Sequence, residues 1–594
     1  MKLRLPAVLL LGLLLAASCA FSQEQPASTS APTSSPTLTS HSELVLVPVV
    51  VTDKAGKHVP GLKAADFEIV QDKKTVRSIA FCDEIVPHLA AMPSTLSAAA
   101  RVPGTYTNTG NAQRAIQVVV IALDLINTPF IEQAHARTEV IRFLSESVPP
   151  GTSIALLLMT PSGVRMLHDF SSDSNTLIAA LQKVAKGKPH GKDLVFPPAT
   201  SLTAVDNEAA MLSKFEFDGN VFGIPPWGVD TAGPQSRLSL VEQALAVDAG
   251  HRDAVRATTD SLLQIAQAYS GIPGRKALVW MTSGLPASIE SALLTYQGSV
   301  IHAAHETDVS ADFAKAWKAL NQANFSVYPV DVRGLFTEAR FSGQVPMGGS
   351  AWSGGGESNH HGAADPIERQ LTDETFHTIQ SMAEMTGGKA YMNTNDLAGS
   401  IRRAVDDTQQ YYMLGFYVEE ATLAPGWHPL KVTTRQTKTT VRSREGFFAT
   451  PVAASSAELI RSELASAIHS PVQFGGLPIL VRWSPVTAQP AEGKKHVAFD
   501  LVVDANSIQP DPSAPSIDVS LLGVALNAES HDATDTQRTI RQRLTPEAAS
   551  TLRKNGLLYR GEFVLTPGSY VVHFAVRDNQ SGRLGSVIVP LSVP

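Results

Sequence analysis

The sequence predicts a protein of the α/β plus β class, in which a doubly wound, mostly parallel, Rossmann-like sheet is inserted between the strands of a β-sandwich. A C-terminal immunoglobulin-like β-sandwich is predicted to follow. Three observations lead to this prediction. Between residues 115 and 405, apolar strand-like runs alternate with amphipathic helix-like segments, which is typical of βαβ units. Short β-rich segments flank this region on both sides, and residues 474–594 contain strand patterns separated by turn sequences.

Composition limits the class of protein before any motif is considered. The 594 residues include 48 Lys and Arg against 55 Asp and Glu, which gives a formal net charge of −7. A hydrophobic content of 43% is enough to build cores, so global disorder is excluded. The acidic balance argues against a nucleic-acid partner, because phosphate contacts need a basic face. Two cysteines, Cys19 and Cys82, are too few for a disulfide framework or a four-cysteine zinc module.

The N-terminus has the pattern of an export signal. Residues 1–22 are predicted to be a signal peptide, since a short basic start precedes an apolar run too short for a usual membrane span. Two cleavage sites stay open: a small-x-small motif ending at Ser22, and a lipobox-like motif ending at Cys19, which would then carry a lipid. Residues 23–42, rich in Ser, Thr and Pro, are interpreted as a solvated tether. We expect an extracytoplasmic protein (secreted, periplasmic or cell-surface) that meets a membrane only through such an N-terminal lipid.

Two β-rich segments lie on either side of the α/β region. Residues 43–90 are predicted to form N-terminal strands, and residues 410–448 to form about three more. Neither segment is large enough to bury a core of its own. We therefore predict that the two segments pair and complete one β-sandwich.

The α/β region can be divided from its hydrophobic patterns. Residues 116–123 are almost continuously apolar, as expected of a strand buried on both faces. Residues 186–235, rich in Gly, Pro and Asp, are interpreted as an insertion or a long surface loop. Further strands are predicted at 154–159, 164–168, 277–281, 325–330 and 389–392, and helices at 130–147, 174–185, 236–269, 311–322 and 373–385. Helices should cover both faces of an open sheet.

The C-terminal part begins with a short helical segment. Residues 455–458 have the pattern of a capping box and predict a linker helix over 455–469. Alternate residues are apolar in 497–503 and again in 570–576, so their side chains are predicted to point into the core of an immunoglobulin-like sandwich.

Polar residues follow several of the predicted parallel strands. Asp124, Asn127 and Thr128 follow the first strand, Ser283 follows the fourth, and Asp331 follows the fifth. Ligands of open α/β sheets bind at the carboxyl ends of the strands, so we predict that these five residues form a ligand-binding rim. The alternative is that the first three only cap a helix and stabilise a turn.

Five motifs occur in order between residues 44 and 450: Leu123-Asp124 with Asn127-Thr128, Gly274–Trp280, Val327–Leu335, Thr386–Ala390 and Tyr411–Phe416. In this order they resemble the exported "VWFA-related" proteins of Acidobacteria-like bacteria, which contain a von Willebrand factor type A (vWA) domain. The resemblance implies that residues 115–405 form a vWA-like domain.

The resemblance also implies a metal-ion-dependent adhesion site. In that family an Asp-x-Ser-x-Ser motif, a Thr and a second Asp bind Mg²⁺ or Ca²⁺ and leave a position open for a partner's carboxylate. Asp124 matches the first Asp and Thr128 the last Ser, so these are the implied metal ligands. Ile126 replaces the middle Ser, and Ser283 replaces the second Asp. The implied site is therefore degenerate, and the residues alone establish no cofactor.

The leading functional hypothesis is an exported protein that mediates protein–protein binding or adhesion at the bacterial cell envelope and is not an enzyme. Its protein partner is unidentified, and no nucleic-acid partner is expected. One alternative is a structural envelope scaffold that needs no metal. The other is an enzyme of unrecognised type, although the sequence contains no nucleophile elbow, zinc-protease motif or phosphate-binding loop.

Overall fold

The structure, a computed structural model, describes the greater part of the chain after residue 41. The described residues are 42–85, 104–109, 117–146, 148–186, 253–285, 310–335, 376–419, 424, 426–449, 456–484, 487–488, 493–509 and 516–594. The predicted signal peptide, Cys19, nearly all of the tether and nearly all of the 186–235 insertion lie outside them.

The strands and helices of the described residues are numbered here in chain order. The strands are β1 (Ser42–Asp53), β2 (Phe67–Gln71), β3 (Thr75–Arg77), β4 (Phe81–Ile85), β5 (Thr105–Thr107), β6 (Gln117–Asp124), β7 (Thr152–Thr160), β8 (Gly163–Ser171), β9 (Lys276–Thr282), β10 (Phe325–Asp331), β11 (Tyr411–Glu419), β12 (Gly426–Thr434), β13 (Thr439–Ser443), β14 (Gly446–Ala449), β15 (Ile479–Trp483), β16 (Thr487–Ala488), β17 (Lys495–Val503), β18 (Ser516–Asn527), β19 (Ala533–Arg543), β20 (Leu557–Leu565), β21 (Gly568–Asp578) and β22 (Leu584–Val593). The helices are α1 (Phe130–Glu146), α2 (Ser174–Lys186), α3 (253–269), α4 (Ser310–Gln322), α5 (376–386), α6 (Leu397–Asp406), α7 (Ala457–His469) and α8 (Pro546–Asn555). Two 3₁₀ turns occupy Ala64–Asp66 and Ala505–Ser507. No helix in these ranges combines the length and the apolar character needed to cross a membrane.

The central sheet has the strand order β10-β9-β6-β7-β8. All neighbours in it are parallel except β7 and β8. The predicted mostly parallel α/β sheet is therefore confirmed, and its first strand occupies the middle position, as in doubly wound folds. The strand β8 is antiparallel because only two residues separate it from β7, and a parallel return needs a long crossover.

Helices cover both faces of this sheet, as predicted. Alternate residues of β6 enter two different hydrophobic clusters, with Val119 and Ile121 on one face and Val118 and Val120 on the other. The first face is covered by apolar side chains of α1, α2 and α6, and the second by those of α3, α4 and α5. The continuous apolar run of the sequence is thus explained by burial on both faces.

The predicted strand at 389–392 forms only one parallel bridge, between Tyr391 and Val330. Tyr391 donates to the carbonyl of Pro329 and accepts from the amide of Asp331. The next bond of the ladder would require an N–H on Pro329, which proline lacks. The ladder therefore cannot extend toward Lys389.

A β-sandwich precedes and follows the α/β region in the chain. Its two sheets have the orders β13-β1-β11-β4 and β14-β12-β2-β3. Each sheet contains strands from residues 42–85 and from residues 411–449. Residues from both sheets, including Val47, Ile69, Leu414 and Val432, share one hydrophobic core.

A second pair of antiparallel sheets forms the C-terminal part. One sheet contains β5, β15, β16, β17 and β20, the other has the order β19-β18-β21-β22, and both contribute to one core. The predicted inward positions are confirmed, since Val497, Phe499, Leu501 and Val503 of β17 and Tyr570, Val572, Phe574 and Val576 of β21 are buried.

The strand β5 adds to the C-terminal sheets a segment outside 474–594, the range that the sequence predicts for this unit. It comes from residues ahead of the α/β region and pairs with β15. The Asn108 side chain donates to the carbonyls of Phe474 (2.7 Å) and Leu477 (2.8 Å) and accepts from the amide of Ile479 (2.8 Å). A strand of three residues carries no recognisable periodicity, which explains why the pattern missed it.

The predicted linker helix is present as α7. It does more than link two regions, because several of its apolar side chains are buried in a hydrophobic core. Its N-cap is Ser456, whose Oγ accepts from the amide of Leu459 at 3.1 Å. Leu459 therefore stands where the predicted capping box would need an acidic side chain. Ile460 and Leu464 belong to the same hydrophobic cluster as residues of β6 and β21, so α7 packs between the α/β region and the C-terminal sheets.

Candidate functional site

The carboxyl edge of the central sheet is the natural place for a ligand site. The first strand, β6, lies between β7 and β9, so chain connections leave it in opposite directions. Such a switch point opens a crevice outside the carboxyl ends of the strands. Asp124 ends β6, Thr282 ends β9, and Asp331 ends β10.

The carboxylate of Asp124 is buried and accepts hydrogen bonds on both oxygens. Its Oδ1 accepts from the backbone amides of Ile126 (2.9 Å) and Asn127 (3.0 Å). Its Oδ2 accepts from Asn127 Nδ2 (2.8 Å), Thr282 Oγ1 (2.8 Å) and Trp280 Nε1 (3.2 Å). Burial raises the pKa of Asp124, while the hydrogen bonds from Asn127, Thr282 and Ile126 act in the opposite direction. The Asp124 side chain thus links the loop after β6 to the end of β9 by hydrogen bonds.

Asn127 extends this network to helix α3. Its Nδ2 also donates to Thr258 Oγ1 at 2.8 Å, and the Thr258 hydroxyl donates in turn to the carbonyl of Ala254. Among the described residues the Oδ1 of Asn127 is buried and has no hydrogen-bond partner, which is uncommon for a buried polar atom. The residues Thr258 and Trp280 were not predicted to belong to the site.

Thr128 and Ser283 connect the same loop to helix α1. The amide of Ser283 donates to Thr128 Oγ1 at 3.2 Å, and the Ser283 hydroxyl donates to Oε2 of Glu132. Glu132 lies in the first turn of α1 and was not predicted as a site residue. The sequence did contain a signal for Glu132. It is an acidic residue that follows shortly after Asp124 in the chain, at a helix N-terminus, where the helix dipole favours a negative charge. Burial raises the pKa of Glu132, and the Ser283 hydrogen bond and the charge of Arg333 oppose this.

Asp331 lies at the same edge but is paired with Arg333. Arg333 donates from Nε to Oδ1 and from its terminal nitrogen to Oδ2, each at 2.9 Å, and both side chains are buried. The guanidinium also lies 5.1 Å from the ring centroid of Phe376. The amide of Val332 donates to the carbonyl of Thr282, which fixes β10 beside β9 at this point. The five predicted rim residues thus fall into three groups: Asp124 and Asn127 share one hydrogen-bond network, Thr128 and Ser283 share a second with Glu132, and Asp331 forms an ion pair with Arg333.

These residues do not fit a site for Mg²⁺ or Ca²⁺. Such ions need about six or more oxygen ligands, whereas both oxygens of Asp124 are occupied by protein donors. The side chain of Ile126 is buried and apolar, and the Ser283 hydroxyl is directed to Glu132. Within the described ranges no group of three or more His, Cys, Asp or Glu side chains is placed to hold a metal ion.

Exposed apolar side chains border the network. Phe130 and Ile131 directly precede Glu132 and are 69% and 82% exposed. Leu335, two residues after Arg333, is also exposed. Contiguous apolar surface with a polar rim is a common feature of binding surfaces.

The opposite edge of the sheet is occupied by the buried side chain of Arg275 and its hydrogen-bond partners. Arg275, just before β9, donates to Ser326 Oγ (2.8 Å), to the carbonyl of Asp407 (3.0 Å), and to Tyr328 Oη and the carbonyl of Gly387 (each 2.9 Å). Its backbone amide donates to the hydroxyl of Tyr411 in the N-terminal sandwich at 3.1 Å. Asp407 is also paired with Arg442 of β13. Several of the motifs used for the family resemblance therefore join the α/β region to this sandwich.

Comparisons with known proteins assign no family. No family model matches the chain, and no curated protein matches it. One of the solved structures that match is the "X-ray structure of Northeast Structural Genomics Consortium target SoR45", at 14% identity. The match covers 19% of this chain and 82% of that chain, with a TM-score of 0.12. A likeness at this level carries no argument about fold or function.

Proposed function

We propose that this is an exported protein whose carboxyl edge binds a protein partner at the bacterial cell envelope. The observation that carries the proposal is the exposure of Phe130 and Ile131, which directly precede Glu132 of the Thr128–Ser283–Glu132 network in the chain. Exposed apolar groups next to a fixed polar network supply both contact area and orientation for a partner.

The finer fold assignment belongs to this proposal. We assign the α/β region to the vWA-like type, on the strength of its doubly wound strand order and the motifs of the sequence. We assign the C-terminal sandwich to the immunoglobulin-like type. The hydroxyl of Tyr570 donates to the carbonyl of Thr566 at 3.0 Å, which is similar to the tyrosine corner of that fold.

The adhesion site of this proposal is degenerate and acts without a metal. Asp124 has an internal role, and the hydroxyls of Thr128 and Ser283 hold the loop against α1. Fold-level analogy alone says little about function, so the proposal depends on the surface residues of this edge.

A structural scaffold is the second candidate, and a specific observation favours it. The guanidinium of Arg275 donates hydrogen bonds to four separate acceptors. In addition, apolar side chains of α7 pack between the α/β region and the C-terminal sheets. Such connections suit a protein whose role is to hold its parts in a fixed arrangement.

Capture of partners from the native envelope distinguishes the two candidates. The bait is the chain from residue 23, compared with its Phe130→Ser/Ile131→Ser double variant and with a Val76→Ser control. Val76 lies in β3 of the N-terminal sandwich and is 64% exposed. We expect the double variant to lose most of the captured protein and the control to retain it. Equal capture by all three baits would favour the scaffold.

A further inference from the structure

We propose that Glu132 binds a cationic side chain of the protein partner directly, so that the rim recognises arginine or lysine without a bridging metal. This inference depends on the proposed function and specifies the chemistry of the partner.

Among Asp124, Asp331 and Glu132, Glu132 alone has capacity for a further hydrogen-bond partner. Asp124 accepts five hydrogen bonds from its own chain. Asp331 is neutralised by a two-point contact with Arg333. Glu132 accepts one hydrogen bond, from the neutral hydroxyl of Ser283 to Oε2, and within the described residues its Oε1 accepts none.

The surroundings of Glu132 favour a cation that arrives from outside. The side chain is half-buried, so its charge has lost part of its water shell. The N-terminus of α1 stabilises a negative charge at this position. No Lys, Arg or His in the described part of the chain forms an ion pair with it; the guanidinium of Arg333 lies near but is paired with Asp331. A bound guanidinium or ammonium group would restore the lost interactions.

The neighbouring side chains fit the rest of such a residue. Lysine and arginine side chains place their methylene stems along apolar surface while the charged end meets an acceptor. Phe130 and Ile131, which directly precede Glu132 in the first turn of α1, offer exposed apolar surface for such a stem. A partner carboxylate, in contrast, would meet the like charge of Glu132. The polarity of recognition is therefore opposite to that of a site in which a metal binds an acidic partner.

A simpler role for Glu132 is to stabilise the first turn of α1 through the helix dipole. The chain offers a matched control for that role. Glu458 is an exposed acid in the first turn of α7. Replacement of either residue by glutamine should have a similar effect on stability, but only Glu132→Gln should affect binding.

Two peptides that differ at one position test the inference. One has a central arginine flanked by leucines, and the other has a central glutamate in the same frame. Each is titrated calorimetrically into the chain from residue 23, in Mg²⁺ and in EDTA. We expect the arginine peptide to bind equally in both buffers and at least tenfold more weakly to Glu132→Gln, with Glu458→Gln unchanged. Glu132→Lys should reverse the preference, so that this variant binds the glutamate peptide more tightly than the arginine peptide.

Three outcomes would overturn the inference: binding of the glutamate peptide that needs Mg²⁺, arginine binding that survives Glu132→Gln, or no binding of either peptide. Failure of the proposed binding function can be told apart from failure of this inference about the partner's charge. If envelope capture depends on Phe130 and Ile131 but not on Glu132, the binding function stands and the cationic partner is wrong. If capture does not depend on Phe130 and Ile131 either, the proposed binding function itself is wrong.

Discussion

The indole Nε1 of Trp280 donates a hydrogen bond to Oδ2 of Asp124, 3.2 Å away, across the neighbouring strands β9 and β6. This contact, with that from Thr282 to the same oxygen, makes Asp124 the acceptor at the centre of the switch point. The residue that the sequence suggests as a metal ligand is thus part of the internal structure of the sheet edge.

Replacement of Asp124 by alanine should destabilise the fold. The change would leave the buried donors of Trp280 and Thr282 without an acceptor, and each unsatisfied group costs about 1–3 kcal/mol. We therefore expect a loss of several kcal/mol, measured as the free energy of unfolding in urea. Asp535→Ala, at an exposed position in β19, is the control. Native stability in Asp124→Ala would contradict this role.

Arg275→Lys should be strongly destabilising although the charge is kept. A lysine cannot reproduce the planar set of donors that reaches Ser326, Tyr328, Asp407 and Gly387. Each buried group that loses its hydrogen-bond partner costs about 1–3 kcal/mol. Thermal unfolding should show this loss, while Arg461→Lys at an exposed site of α7 should not. Equal melting temperatures would contradict the structural role assigned to Arg275.

Lys276 should make stability depend on pH above neutrality. Burial lowers its pKa to about 7, although Nζ donates to the carbonyls of Ile272 (2.6 Å) and Gly274 (3.1 Å). Between pH 7 and its ordinary pKa near 10.5, the unfolded chain keeps a proton that the folded chain has lost. The stability contribution of this group therefore rises with pH in that window, by at most about 1.4 kcal/mol per pH unit.

Urea unfolding at several pH values measures this dependence. Lys276→Met should remove the rise, and Lys57→Met, at an exposed position, should leave it in place. A Lys276→Met variant with the same pH dependence as the wild type would refute the assignment.

Asn108→Ala should release β5 from the C-terminal sandwich. The substitution removes three hydrogen bonds that join it to Phe474, Leu477 and Ile479, at a cost of about 1–3 kcal/mol. Hydrogen exchange of the β5 amides should become faster, with little change in β21. Asn506→Ala, at an exposed position, is the control. Unchanged exchange in β5 would show that these bonds do not hold the strand.

Strong local patterns made much of the α/β region predictable. The apolar runs of β6, β7, β9 and β10 and the amphipathic helices between them fix the elements, and the position of Asp124 after β6 locates the edge of the sheet. What the sequence could not provide were the partners of that residue. Trp280 and Thr258 are far from it along the chain, and only the parallel pairing of β6 with β9 and the packing of α3 bring them close. The direction of β8 could have been predicted from its two-residue loop.

The most direct test of the account is a calorimetric titration of the chain from residue 23 with Mg²⁺ and Ca²⁺, for the wild type and for Thr128→Val. Thr128 Oγ1 accepts from the amide of Ser283, and it is the second ligand that a metal site here would require. We expect no binding that depends on Thr128, because both oxygens of Asp124 already accept hydrogen bonds from protein donors. One-to-one binding of either ion that Thr128→Val abolishes would contradict it.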